Sequence, residues 1–356
     1  MITRQQLKQL VLILLLGVLS PGLVLAADRA EKASEYYEDA LVRMQRNDTK
    51  GAIVQLKNAL QQDGKMLPAL VLLGEAYLKS GAPLGAERVL ADAQRLGADR
   101  SQIIVMQVEV YNLLGRNQAL LEQFSPDGLP PDVKYKVLVT RAYAQIDLDQ
   151  GRAAIQSLEQ ARQIEPNNPA AFIAQSLAYL RMNNFSDAGE MARLAIEKSP
   201  SDPSGWNMKG SIAHAQGNAQ DALAGYGKAL VLKPDYLDAL IARASLLFDM
   251  NRDKEAARDV AVLKQKFPDD PRSACLQALL AGRQGNNTEV RNALVKASSA
   301  LDALPFEAVL THPQLLLLGG VAHYSLGQNE KAKTYLGSYL KKFPQQWAPA
   351  KYIPPF

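Results

Sequence analysis

The stretch GWNMKGSIAHAQGNAQDALAGYGKALVLKPDY, residues 205–236, decides the fold of this chain. It holds small residues at Gly210, Ala222 and Ala229, and Pro234 closes it. The segments on either side of Gly217 suit two amphipathic helices joined by a short turn. The stretch contains no catalytic motif, so it predicts an architecture and leaves the chemistry open.

The same pattern recurs with a period of 34 residues along most of the chain. Eight units follow one another without insertion or deletion, and a ninth follows after eight extra residues, 305–312. The nine units begin at Ala33, Leu67, Ser101, Tyr135, Pro169, Pro203, Leu237, Pro271 and Pro313. Their eighth positions are Ala40, Gly74, Val108, Ala142, Ser176, Gly210, Ala244, Ala278 and Gly320, and their twentieth positions are Ala52, Ala86, Leu120, Ala154, Ala188, Ala222, Ala256, Val290 and Ala332.

Close packing explains why most residues at these two positions are small. Where two paired helices cross, a large side chain would push the backbones apart, and larger neighbours then fill the space around the crossing. Unit boundaries carry prolines that stop one helix and start the next. Asn168, Asp202 and Asp270 are predicted N-caps, and turns are predicted around five residues: Gly81, Gly217, Asn251, Gly285 and Gly327.

A 34-residue helix-turn-helix unit with these small positions resembles the tetratricopeptide repeat. The resemblance implies an all-α solenoid of about nine repeats that forms a right-handed superhelix. The predicted organisation is a signal peptide at 1–26, repeats 1–3 at 27–124 with the third degenerate, an irregular loop at 125–132, repeats 4–8 at 133–304, an insertion at 305–312, repeat 9 at 313–346 and a proline-rich tail at 347–356.

The first 26 residues have the pattern of an export signal. Arg4 and Lys8 precede the apolar run 10–19, and Ala26 and Ala27 offer small residues for cleavage. The run is shorter than the roughly 20 residues of a transmembrane helix, although an uncleaved anchor is the alternative. We therefore expect a periplasmic protein that meets the membrane only through partners or through such an anchor.

Composition narrows the function classes. The chain is 47% apolar but only 6% aromatic, which favours helices over sheets. Its formal net charge of +4 is not concentrated in blocks, so no nucleic acid partner is expected. Cys275 is the only cysteine, and we expect it to be a small buried residue.

No catalytic or metal-binding motif is found in the sequence. The three histidines, His214, His312 and His323, form no i, i+4 ligand pair, and no HExxH, CxxC, GxSxG or glycine-rich phosphate loop occurs. A packed histidine is the favoured interpretation of His323, and contact with a ligand is the alternative. We expect neither catalysis nor a cofactor, because repeat scaffolds carry their function on surfaces.

The predicted working surface is the concave side lined by the first helix of each repeat, which we call the first-helix face. It is mostly apolar, and a basic clamp for a peptide carboxylate is missing from its sequence. Such a stripe suits an extended or helical protein segment, and helix packing is the alternative use. The candidate partner-binding residues are Val71, Glu75, Leu78, Val105, Glu109, Val139, Tyr143, Ile146, Ile173, Leu180, Asn207, Phe248 and Tyr324.

Three stretches carry a closer resemblance: residues 36–63, 72–99 and 311–344. They resemble the first part of the large periplasmic tetratricopeptide protein of the exosortase (PEP-CTERM) sorting system. That resemblance implies protein partners in exopolysaccharide export or in exosortase-linked sorting. This chain lacks the anchoring cysteine often found in that family, and it has fewer repeats.

Three other functions compete with this hypothesis. A scaffold for outer-membrane or type IV pilus assembly would bind envelope lipoproteins through the same face. Direct polysaccharide binding would need exposed aromatic platforms, and the only tryptophans are Trp206 and Trp347. An enzyme would need a polar pocket that the sequence does not suggest. The identity of the partner and the oligomeric state stay open.

Overall fold

The computed structural model describes residues 21–343, with side chains from residue 28 onward. Within these residues the chain forms 19 α-helices and no strand. The residues 1–20 of the predicted signal peptide and the tail 347–356 lie outside this range. The predicted cleavage point after Ala26 falls inside the first helix, which begins at Pro21.

The helices follow the predicted register. The first helices of repeats 1–9 are α1 (Pro21–Gln45), α3 (Leu67–Lys79), α5 (Arg100–Leu113), α7 (Pro131–Asp147), α9 (Pro169–Arg181), α11 (Pro203–Ala215), α13 (Leu237–Asp249), α15 (Pro271–Arg283) and α18 (Pro313–Ser325). Their second helices are α2 (Thr49–Gln62), α4 (Pro83–Arg95), α6 (Asn117–Gln123), α8 (Gly151–Ile164), α10 (Phe185–Lys198), α12 (Ala219–Leu232), α14 (Asp253–Lys266), α16 (Asn287–Asp302) and α19 (Asn329–Lys342). A four-residue helix, α17 (Phe306–Val309), lies in the insertion.

The chain divides into two compact units, Met1–Val110 and Tyr111–Phe356, with the boundary inside α5. In the first unit, α1 packs on α2, α2 on α3 and α3 on α4. Leu56, Leu70 and Leu73 are buried there among alanines. In the second unit the core is a series of clusters between neighbouring helices, because each repeat buries its apolar face against the next.

The predicted crossing positions are buried except Val290, which is half-buried. Every residue at the eighth position of the nine repeats has a buried side chain or, for glycine, a buried backbone. A Cβ added to Gly225 would lie 2.6 Å from the backbone N and Cα of Gly210, so α11 and α12 touch backbone to backbone. Ser176 takes the same place in repeat 5, and its hydroxyl donates a hydrogen bond of 2.7 Å to the carbonyl of Ala188.

Helix starts and turns are explained by local chemistry. The predicted caps Asn168, Asp202 and Asp270 are confirmed, since their side chains accept hydrogen bonds from amides of the first turn. In all nine repeats the fifteenth residue has a positive φ, between 55° and 79°. Those residues are Asn47, Gly81, Gly115, Asp149, Asn183, Gly217, Asn251, Gly285 and Gly327.

Repeats 3 and 4 depart from the register. The second helix of repeat 3 ends at Gln123 and has only seven residues. α7 then begins at Pro131, four residues before the predicted start at Tyr135. Pro131 and Asp132 explain the early start, because proline and an acidic residue both favour the first turn of a helix.

Replacing one of two glycines in α12 tests the crossing. Gly225→Ala should lower the free energy of unfolding by about 1–3 kcal/mol, because the new methyl group overlaps the backbone of α11. Gly227→Ala is the matched control: its Cβ would meet only an atom of Arg243 at 3.9 Å. It should stabilise the helix by roughly 0.5–1 kcal/mol. Urea unfolding of both variants measures the difference, and equal effects would contradict the backbone contact.

Candidate partner-binding surface

The first-helix face lies on the inner side of the stack in the second unit. Each first helix there packs on the first helix of the next repeat, from α7 through α9, α11, α13 and α15 to α18. Within the described part of this unit, neighbouring second helices make no comparable contact. Because helices on the inner side of a curved stack come closer than those on the outer side, the first helices line the concave side.

Most candidate residues in the second unit are half-buried on this face. Val139 and Tyr143 lie on α7 and pack beside the core of repeats 4 and 5. Ile173 and Leu180 lie on α9 beside the core of repeats 5 and 6. Tyr324 on α18 is 69% exposed, which makes it the most accessible aromatic ring among these candidates.

Two predicted residues do not belong to the surface. Ile146 is 2% exposed and Phe248 is 1% exposed, and both are core residues. The prediction that their side chains contact a partner is therefore wrong. Both occupy the twelfth position, where the side chain turns toward the neighbouring helix in repeats 4 and 7.

Asn207 is the amide-bearing candidate on the first-helix face of the second unit. It is half-buried on α11, and its side-chain oxygen Oδ1 is buried without a hydrogen-bond partner among the described residues. A buried carbonyl oxygen without a donor costs free energy. Because this oxygen is buried, only the exposed part of the Asn207 side chain can contact a bound segment.

In the first unit the candidates lie on α3 and α5. Val71, Leu78 and Val105 are half-buried. Glu75 forms an ion pair with Lys79, one turn later on the same helix, with 2.7 Å between Oε1 and Nζ. Partial desolvation raises the pKa of the Glu109 carboxyl. This stretch therefore combines an apolar row with acidic groups at its edge.

Two polar residues beside the predicted stripe have structural partners. Arg283 donates hydrogen bonds to Asn251, to Asp253 and to the carbonyl of Phe248, so it holds the turn of repeat 7. His323 is fully buried, with Nδ1 2.5 Å from Oε1 of Gln328. It is a packed histidine, as the favoured sequence interpretation expected.

The single cysteine does not have the properties of a reactive thiol. Cys275 is half-buried on α15, and burial raises the pKa of its thiol to about 12. A thiol with such a pKa stays protonated at neutral pH and is a poor nucleophile. Cys275 therefore acts as a small apolar residue of the repeat.

The described residues contain no group of three or more His, Cys, Asp or Glu side chains placed to hold a metal ion. None of the helices in the described range is both long and apolar enough to cross a membrane.

A shallow recess of ≈ 300 Å³ lies between repeats 6 and 7, lined by Leu230, Val231 and Val262. Arg243 and Asp259 form a bidentate ion pair at the edge of this recess.

Comparison with known proteins agrees with the repeat pattern. A tetratricopeptide repeat family model matches residues 43–103 and 145–212, and a second one matches residues 207–271. Together they cover just over half of the chain. A search of curated proteins gives no significant match.

Three solved structures illustrate the similarity of fold. The Cut9–Hcn1 assembly of APC/C has a TM-score of 0.52 and 13% identity over 88% of this chain and 67% of that chain. PilW, a type IV pilus biogenesis factor, has a TM-score of 0.48 and 18% identity over 58% and 96% of the two chains. PilF of Pseudomonas aeruginosa has a TM-score of 0.45 and 18% identity over 61% and 99%. At these identities the similarity concerns the fold alone.

Lysine substitutions distinguish surface positions from core positions. Val105→Lys, Val139→Lys and Ile173→Lys should each lower the free energy of unfolding by only about 1 kcal/mol, because a lysine stem can lie on the face with its ammonium in water. Ile146→Lys and Phe248→Lys are the matched controls. They should cost about 4 kcal/mol or more, since the charge would be buried without a partner.

Circular dichroism during urea titration measures all five variants. Equal losses in the two groups would place Val105, Val139 and Ile173 in the core and would remove them from the first-helix face.

Proposed function

Because the chain belongs to the tetratricopeptide repeat family, we propose that it is a non-enzymatic adaptor that binds a protein segment along its first-helix face. The observation that carries this proposal is the half-buried row Val139, Tyr143, Ile173 and Asn207 on neighbouring first helices. Apolar side chains there offer area to a partner, and the exposed part of the Asn207 side chain adds a polar contact.

The adaptor acts in the periplasm in this proposal. The support is the pattern of residues 1–26: a basic start, an apolar run too short to span a membrane, and small residues before Ala27. Export followed by release would leave the repeats free to meet envelope proteins. Edman sequencing of the protein recovered from a periplasmic fraction tests this, and an N-terminus at Met1 in the cytoplasmic fraction would contradict it.

The partners in this proposal belong to exopolysaccharide export or to exosortase-linked sorting. The support is the resemblance of residues 36–63, 72–99 and 311–344 to the periplasmic tetratricopeptide protein of the exosortase system. A scaffold in outer-membrane or type IV pilus assembly is the second candidate, because it would use the same face in the same compartment. The two candidates differ in which proteins contact the first-helix face.

Photo-crosslinking in the native host tests the proposal. The photoreactive residue p-benzoylphenylalanine should replace Tyr143 or Tyr324 on the first-helix face, where it substitutes one aromatic ring for another. The control position is Val231, which is 74% exposed and lies on the second helix of repeat 6. Mass spectrometry then identifies the proteins captured at each position.

We expect export or sorting components at Tyr143 and Tyr324 but not at Val231. Capture of pilus or outer-membrane assembly proteins would favour the second candidate. Capture at Val231 alone, or at none of the three positions, would contradict binding along the first-helix face.

A further inference from the structure

The insertion 305–312 makes a contact that the repeat pattern does not require. In a repeat solenoid each unit normally touches only its neighbours. Here Nε of Arg116, in the turn of repeat 3, lies 3.4 Å from Oε2 of Glu307, which is 191 residues further along the chain. Both residues belong to the second unit. Repeats 4–8 lie between the two ends of this contact.

Gly115 shows how closely the backbones approach. A Cβ on Gly115 would overlap the carbonyl oxygen of Glu307 and would lie 2.6 Å from Cα of Ala308. At four other turn glycines, Gly81, Gly217, Gly285 and Gly327, a Cβ would meet nothing within 4 Å. A side chain would therefore be excluded at the turn of repeat 3 by the insertion itself, in addition to the positive φ of 70°.

The insertion is anchored on the side of repeat 9. Val309 is fully buried in a cluster with Leu316 and Tyr339. The ring of Phe306 packs edge to face on Tyr335, with 5.2 Å between the ring centroids. Glu307 and Ala308 remain on the other side of the insertion, where they meet repeat 3. The insertion is thus held on repeat 9 by Phe306 and Val309, while Glu307 and Ala308 contact the turn of repeat 3.

The contact with repeat 3 is small compared with the cores of the repeats. The Arg116 and Glu307 side chains are 34% and 64% exposed, and such ion pairs add little stability. The buried clusters of repeats 4–7 contain no residue of the insertion. The contact can therefore open without unfolding the repeats it joins.

We infer that residues 305–312 form a releasable clasp, which seats on the turn of repeat 3 and closes repeats 4–8 into a ring around the first-helix face. Release of the clasp admits a partner segment to that face from the side. The clasp is a property of the free chain, and its role in admission rests on the adaptor function proposed above.

One glycine substitution tests the clasp in the full chain. Gly115→Asn keeps the turn, because asparagine already holds the same conformation at Asn47, Asn183 and Asn251. Its Cβ nevertheless collides with Glu307 and Ala308. Gly217→Asn is the matched control, since nothing lies within 4 Å of its Cβ. Hydrogen exchange followed by mass spectrometry measures the amide exchange rates of residues 306–312 in both variants.

Gly115→Asn should accelerate exchange of residues 306–312 about tenfold, while exchange of repeats 5–7 stays unchanged. Gly217→Asn should leave exchange of 306–312 as in the wild type. Wild-type exchange in Gly115→Asn, or equal acceleration in both variants, would overturn the clasp. Neither result involves a partner, so failure of the clasp is distinguishable from failure of the adaptor function.

A second measurement covers the case in which Gly115→Asn does not fold. Arg116→Cys and Glu307→Cys are combined with Cys275→Ala, and a short bis-maleimide is added to the folded protein. A bridge within one chain is expected, at a rate well above that of the urea-unfolded protein, and equal rates would overturn the clasp.

Entry of a partner segment to the first-helix face is measured by the photo-crosslinking yield at position 143. Gly115→Asn should raise the yield severalfold over the wild type, and an unchanged or lower yield would overturn the role of the clasp in admission.

Discussion

The close approach of two helix backbones within each repeat is the constraint on which the rest of the structure depends. Gly210 and Gly225 show it most directly, because there is no room for a single methyl group between them. Once the paired helices are this close, their remaining apolar side chains can be buried only against the next repeat. The stack, its concave first-helix face and the position of every turn follow from that constraint.

Much of the fold was predictable because the constraint is local. Six of the nine first helices begin at the residue that the register predicts, and three predicted caps are confirmed. The fifteenth position is a regular turn signal, because glycine, asparagine or aspartate occupies it in all nine repeats. α7 starts early because Pro131 and Asp132 favour helix initiation more strongly than the register favours Tyr135.

The surface was less predictable, because exposure depends on distances between elements. Ile146 and Phe248 have the same register position as the exposed Tyr324, yet both are buried. A repeat position fixes the direction of a side chain, and the neighbouring repeat decides how much space remains. The contact between Gly115 and the insertion is even harder to predict from the sequence, because the two segments lie far apart in the chain and share no sequence pattern.

If the first-helix face receives the partner, a bound partner should cover that face and leave the second helices accessible. The most direct measurement is the rate of thiol labelling at single cysteines, in a Cys275→Ala background, with and without a purified partner. Asn207→Cys reports on the first-helix face and Val231→Cys on the second helix of the same repeat. With the partner bound along the first-helix face, labelling should slow at position 207 and stay unchanged at position 231. Slower labelling at position 231 alone would contradict it.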